Sequence, residues 1–353
     1  MNVLVTGSDG YIGSVLCPYL VQRGLDVVGL DTGFYRTGLL YDPAADPVAT
    51  ITRDIRGLVP RDLEGFDAVV HMAELSNDPL GQFAPTITYE INHEGSVRLA
   101  TAAKAAGVGR FVYTSSCSVY GRSDNELVDE GSSLDPQTAY ADCKRLVERD
   151  VSALAADGFS PTFLRNATAY GASPRMRFDI VVNNLCGLAW TTREIRMESD
   201  GTPWRPLVHV LDICQAIAHV LDAPRSVVHD QIVNVGDRDA NYQIRDIAEI
   251  VGRVFPDCDV TVGGRSPDER SYRVSFAKIH ELLPAFACDW TVERGARELR
   301  EIFAAVRLDE DGFRSRNFTR LKQIEHLRRA GRLDESFNWT PAGLIEDRVA
   351  EHG

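Results

Sequence analysis

Short apolar runs alternate with longer stretches of helical spacing through the first half of the chain. Asn2-Val3-Leu4-Val5 is a run of the first kind and predicts a strand buried on both faces. Val15, Leu16, Tyr19 and Leu20 then recur at helical spacing, with Pro18 among them predicting a kink. Further strands are expected at residues 26–30, 48–52, 67–71, 110–114 and 161–165. Helices are expected at 86–106, where Ile87, Ile91, Val97, Leu99 and Ala103 form the apolar face, and at 138–156. Strands alternating with helices predict an α/β fold, a Rossmann-type doubly wound parallel sheet covered on both faces.

The second half is less regular. It predicts helices at 179–191, 244–255 and 291–305, strands at 194–198 and 207–210, and a helix from there through Leu221. Gln231-Ile-Val-Asn-Val235 looks like a sheet strand. The expected division is therefore a first domain over 1–170, with a return near 207–240. A smaller discontinuous substrate lobe covers 171–206 and 241–310. A charged tail, 311–353, carries a helix near 316–330 and is expected to cover the active site or make an oligomer contact.

Composition narrows the class. The chain has 353 residues, 44% of them hydrophobic and 25% charged, enough for a full core. Its net charge of −13 argues against a nucleic-acid partner, so an anionic ligand needs local arginines and helix ends. No apolar run approaches the roughly eighteen residues of a membrane span. The 7 cysteines are odd in number and form no C-x-x-C pair, which argues against zinc or a disulfide framework. A start directly on a strand leaves no room for a signal peptide, so a reducing cytoplasm is expected.

Three places carry chemistry. Between the first strand and helix lies Thr6-Gly7-Ser8-Asp9-Gly10-Tyr11-Ile12-Gly13. Gly7 permits a tight turn, Gly10 a close approach of backbone to a pyrophosphate, and Gly13 close packing of helix on strand. The helix N-terminus then offers free N–H groups to the phosphates of a dinucleotide. Asp31, at the end of the second strand, can accept bonds from both adenosine ribose hydroxyls and would repel a 2′-phosphate, favouring NAD. Arg36 leaves NADP open. Tyr140 and Lys144 stand one helical turn apart, where an ammonium can lower the phenol pKa toward working pH.

The glycine turn with Tyr11 and Ile12, the Tyr140-Ala-Asp-Cys-Lys144 pair and the stretch Thr114-Ser115-Ser116-Cys117-Ser118 together resemble the extended short-chain dehydrogenase/reductase family of NAD-dependent epimerases and dehydratases. The resemblance covers roughly residues 1–290. It implies catalytic roles for Ser116, Tyr140 and Lys144, the last also holding the nicotinamide ribose. It adds Asp54, Ile55, Met72, Ala73 and Asn92 to the cofactor contacts. For a nucleotide-diphosphate sugar it implies Asn184, Arg205, Arg265 and Asp268. Glu74 stands where a small residue is common, Ser76 where the epimerases carry lysine, and Thr168 where asparagine is usual. After Ser116 the dehydratases of the family carry Asp-Glu, and here the pair is Cys117-Ser118. An NAD-dependent nucleotide-sugar epimerase acting at C4 is therefore expected, as a homodimer with no metal. The alternatives are a 4,6-dehydratase, a 4-keto reductase or a non-catalytic NAD-binding regulator. Cys117 reads either as a buried core residue or as an acid/base beside the ketone. His209, on an apolar strand, reads as a satisfied core histidine.

Overall fold

The structure is a computed structural model that describes residues 1–43, 48–76, 78–263, 270–341 and 343, with 124–126 through their backbone. Its strands in chain order are β1 (Asn2–Thr6), β2 (Asp26–Asp31), β3 (Thr50–Thr52), β4 (Ala68–His71), β5 (Arg110–Ser116), β6 (Arg122–Val128) and β7 (Ser160–Asn166). There follow β8 (Thr168–Tyr170), β9 (Glu194–Arg196), β10 (Trp204–His209), β11 (Gln231–Val235), β12 (Asn241–Gln243), β13 (Asp259–Thr261) and β14 (Ser271–Val274).

Seven strands form one parallel sheet in the order β11-β7-β5-β4-β1-β2-β3. Alternation in β1 sorts its side chains between two cores. Val3 and Val5 join Leu16, Leu20, Ile213 and Ile217 on one face, while Leu4 joins Val69, Leu99, Phe111 and Val147 on the other. The doubly wound fold is thus as expected. Strand order reverses at β1, beside β4, and the crevice at the carboxyl ends there is where such sheets bind ligands. A buried chain of side chains fixes this point: Thr6 Oγ1 bonds His71 Nδ1, and His71 Nε2 bonds Ser96 Oγ, both at 2.7 Å.

Several elements differ from the expectation. The 86–106 helix is interrupted: a π-helical turn, Tyr89–Gly95, separates Pro85–Thr88 from Ser96–Ala105. Such turns often sit at functional sites. The helix Gly13–Gln22 runs continuously through Pro18. Strand β10 does not enter the large sheet; it lies between β8 and β12 in a three-stranded one. Helices Val181–Thr192, Ile244–Val254 and Val292–Val306 enclose a second core with Phe178, Phe303 and Phe313. The described part of the charged tail, residues 311–341, packs onto the rest of the chain through a helix, Arg320–Arg329. Ile324, Leu327, Leu333 and Phe337 pack with Phe34, Leu75, Leu80 and Ile91.

Candidate active site

Gly7 ends β1 at φ +78°, a backbone state that L side chains rarely adopt, and its N–H donates to Leu30 O at 2.8 Å. A Cβ on Gly13 would lie 2.2 Å from Gly7 O, so only glycine lets the helix start this close to the strand. The helix Gly13–Gln22 has no side-chain cap at its N-terminus; Ser14 N donates to Gly10 O at 3.0 Å and Leu16 N to Ile12 O at 2.8 Å, so the stretch Gly10–Gly13 forms the end that an anion would meet. Gly7, Gly10, Tyr11, Ile12 and Gly13 line a cleft of about 990 Å³. Asp31, Asp54, Ile55, Met72, Ala73, Ser116, Tyr140, Lys144, Asn184 and Arg205 line the same cleft.

Asp31 accepts from Gly33 N at 2.9 Å and Asp9 N at 3.1 Å. Burial, then the neighbouring Asp9 carboxylate, push its pKa up to about 6. Arg36 is turned to Asp9 at 3.1 Å and donates to Thr52 Oγ1 at 2.9 Å. Asp54 holds its own neighbour, accepting from Arg56 N at 2.8 Å and Arg56 Nη2 at 2.7 Å. Asn92 is placed differently from the expectation, since it does not line the cleft. It is fully buried in the π-helical turn, where an amide must find protein partners. Its Oδ1 accepts from Leu75 N at 2.8 Å and its Nδ2 donates to Leu75 O at 3.0 Å. It therefore shapes the loop whose Glu74 and Ser76 face the cleft.

Thr138 caps the helix Ala139–Ser152, accepting from Ala141 N at 3.2 Å, and so sets Tyr140 and Lys144 on its first turns. Lys144 Nζ lies 5.4 Å from the centre of the Tyr140 ring. It donates to Thr114 O at 2.5 Å and pairs with Glu74 Oε2 at 2.6 Å. Glu74 Oε1 accepts from Tyr113 OH at 2.5 Å. Burial works most strongly against the lysine's charge, but Glu74 and Tyr140 together outweigh it and the Lys144 pKa is raised. The Tyr140 pKa is raised too, against the expectation. Burial lifts it, Lys144 pulls it down, and Glu74 and Asp78 push it up again.

Ser116 Oγ accepts from Ser118 N at 3.1 Å, capping the turn Cys117–Tyr120. That turn presents Ser116 and Ser118 to the cleft and Cys117 to the core. The Cys117 thiol donates to Arg165 O at 3.1 Å, and burial raises its pKa well above the usual range. Asn184 Nδ2 donates to Phe178 O at 2.9 Å, and Arg205 Nη1 to Trp204 O at 2.9 Å and to Arg270 O. Arg265 and Asp268 lie outside the described residues. His209 is a satisfied core histidine: it pairs with Glu298 at 3.0 Å, accepts from Leu211 N at 3.3 Å and stacks on Trp290.

The cleft also holds residues that sequence reasoning passed over. Arg177 pairs with Asp179 at 2.8 Å, Arg270 pairs with Asp78, and Arg320 reaches in from the end of the chain. The Pro174-Arg-Met-Arg177 stretch was a visible cluster of charge. Glu74 stood out as a departure, but its partner lies 70 residues away in sequence. Nothing local distinguishes Arg320 among the arginines of a charged segment.

A strand–glycine–helix turn, a carboxylate after the second strand and a Tyr/Lys pair facing both define a short-chain dehydrogenase/reductase-type site. Residues 3–236 match the NAD dependent epimerase/dehydratase family, and the chain belongs to it. The UDP-glucose 4-epimerase of Corynebacterium glutamicum is 29% identical over 271 residues, 72% of this chain and 80% of its own. Among solved structures, an NAD-dependent NDP-hexosamine 5,6-dehydratase of tunicamycin biosynthesis aligns with a TM-score of 0.77. It is 25% identical, over 86% of this chain and 98% of its own. MoeE5 in complex with UDP-glucuronic acid and NAD aligns with a TM-score of 0.75, at 26% identity over 86% and 99% of the two chains.

Proposed function

We propose that this protein is a nucleotide-sugar epimerase that inverts C4 through a transient 4-keto sugar. The carrying observation is that Ser116, Tyr140 and Lys144 share a cleft with the glycine turn, while Cys117 is turned out of it. NAD, when bound, supplies the hydride acceptor and donor. The fit to a dinucleotide rests on the Gly7–Gly13 cradle and the Asp31 carboxylate. Tyr140 takes the C4 hydroxyl proton and later returns it. Ser116 holds the same sugar oxygen through its hydroxyl. Lys144 orients the cofactor ribose and supports the phenolate. Arg205 and Asn184, with Arg265, hold the nucleotide diphosphate, for which a guanidinium fork is suited, and Asp268 grips the nucleotide's ribose.

The alternative with a specific observation behind it is the dehydratase, because a dehydratase is a close structural match. Water loss needs one group to take the C5 proton and another to protonate the leaving C6 oxygen. The Cys117-Ser118 pair offers a buried thiol and a hydroxyl. Incubation with a panel of nucleotide sugars, followed by NMR of the products, tests the reading. A C4 epimer with no net NADH change supports it, and a 6-deoxy-4-keto product overturns it. We further propose a homodimer in a reducing cytoplasm, in keeping with cysteines that are all free thiols. Light scattering on the purified protein tests the dimer.

A further inference from the structure

Arg320 begins the helix Arg320–Arg329, beyond the residues 3–236 of the family match. It is 2% exposed and lines the cleft together with Gly10, Gly13 and Asp31. Its partners within the protein are poor for a charged group. Its Nη2 donates to Arg175 O at 3.4 Å, and its guanidinium lies 4.2 Å from the centre of the Tyr35 ring. Among the described residues it makes no ion pair with a carboxylate. Burial first, then the nearby Arg177 cation, bring its pKa down to about 10. A buried cation without a paired anion is costly; Asp179 and Asp31 offset that cost only in part, and an anion in the cleft would offset more of it.

The surroundings say which anion. Ser173 Oγ donates to Tyr11 O at 2.8 Å, so the loop carrying Arg175 lies against the glycine turn. The segment that carries Arg320 is laced to the loop after Asp31 and to the turn at Arg56. Gln323 Nε2 donates to Phe34 O at 2.9 Å, Trp339 Nε1 to Thr32 O at 2.7 Å, and Arg56 Nη1 to Ser336 O at 2.9 Å. Arg320 is thus within electrostatic reach of the ribose carboxylate, on a segment bonded to the loop that follows it, and it touches the loop that lies against the glycine turn. We infer that Arg320 binds the pyrophosphate of the dinucleotide and that residues 316–340 form a strap retaining it. A guanidinium can give a phosphate two parallel hydrogen bonds, which complements backbone N–H groups on the other side. The inference rests on the dinucleotide occupying the glycine-turn half of the cleft.

The test compares the full-length native protein with Arg320→Met, which keeps the aliphatic stem, and Arg320→Lys, which keeps the charge. Calorimetry measures NAD, ADP-ribose and UDP binding, and gel filtration measures retained NAD. Arg320→Met should weaken NAD and ADP-ribose by at least about tenfold, the scale of one charge-assisted bond. Arg320→Lys should recover part of the loss, and UDP affinity should not move. Asp31→Ala serves as the control for the placement. If Asp31→Ala weakens NAD but neither Arg320 variant does, the inference is overturned. If none of the three weakens NAD, the placement itself is wrong. A loss of UDP affinity with NAD unchanged would assign Arg320 to the substrate diphosphate and also overturn it. Should Arg320→Met not fold, Arg320→Lys decides: NAD affinity and retention equal to native, with UDP weakened, sinks the idea.

Discussion

Lys144 Nζ and Glu74 Oε2 lie 2.6 Å apart with their side chains 4% and 1% exposed. The lysine that would serve only Tyr140 and a cofactor ribose is here shared with a carboxylate. Glu74 keeps the ammonium charged and at the same time opposes ionisation of Tyr140. Its second oxygen is held by Tyr113 OH, so it cannot swing away freely. Beyond burial, the ionisation of Tyr140 is therefore set by Lys144 and Glu74 in opposite directions.

The first prediction follows from the signs. Glu74→Gln removes one charge, which raises both the Tyr140 and the Lys144 pKa. Both limbs of the bell-shaped kcat/KM profile should move to lower pH. Glu74→Ala also leaves Lys144 buried without its partner and should destabilise the NAD-free protein by about 3–5 kcal/mol. Rate profiles from pH 5 to 10 and urea titrations check both. A Glu74→Gln profile superimposable on the native one would remove Glu74 from the tuning.

Tyr140→Phe keeps the ring that Lys144 faces and deletes the hydroxyl. It should retain NAD binding and lose at least about a hundredfold in turnover, the lower scale of general acid–base catalysis. Native turnover in this variant is the outcome that contradicts the assignment.

Asp31 gives a pH dependence of cofactor binding. Its pKa, about 6, lies above the usual carboxylate range because of burial and Asp9. Ribose hydroxyls donate to the ionised form, so NAD affinity should fall as pH drops through about 6. For folding without cofactor the sign is opposite. The proton is bound more tightly by the folded protein, so this contribution is present at low pH and is lost as pH rises through about 6. Calorimetric NAD titrations at pH 5 and pH 8 check the first effect. Asp31→Asn should flatten it, and Asp31→Ala should also narrow the gap between NAD and NADP. An equal affinity at the two pH values in the native protein contradicts the role.

The parts of the site that sequence shows are those built from neighbours in the chain. The glycine turn, Asp31 after β2, and Tyr140 one turn from Lys144 each carry their chemistry within a short window. Burial on both sheet faces makes the central strands β1 and β4 mostly apolar, so they too stand out. What escapes is set by tertiary contact. Asn92 looks like any helix residue until the π-helical turn aims it at Leu75. β10 reads as a strand, but only tertiary pairing sets it beside β8 and β12 while β11 takes the place beside β7. The strap over the cofactor half depends on Phe34 meeting Trp339, two rings 5.5 Å apart and some three hundred residues apart in sequence.

The last prediction concerns the reaction branch. A dehydratase needs an acid/base pair after the serine, and this cleft presents only Ser118 there, with Cys117 in the core. A serine hydroxyl is too weak an acid or base for C5 deprotonation without an activating neighbour. The Cys117 thiol is bonded to Arg165 O and its pKa is pushed up by burial, which disfavours the thiolate that would take a proton beside the ketone. Cys117→Ala should therefore leave turnover within about twofold while removing a small buried group, at a stability cost of about 1 kcal/mol. Turnover in deuterated water reads the chemistry directly. A hydride returned to the carbon it left, with all exchange confined to oxygen, incorporates no carbon-bound deuterium. Deuterium at C5 with a 6-deoxy product establishes the dehydratase. Deuterium at C3 or C5 with the 6-hydroxyl retained, lost in Cys117→Ala, would bring Cys117 back as an acid/base and require the turn Cys117–Tyr120 to open during catalysis.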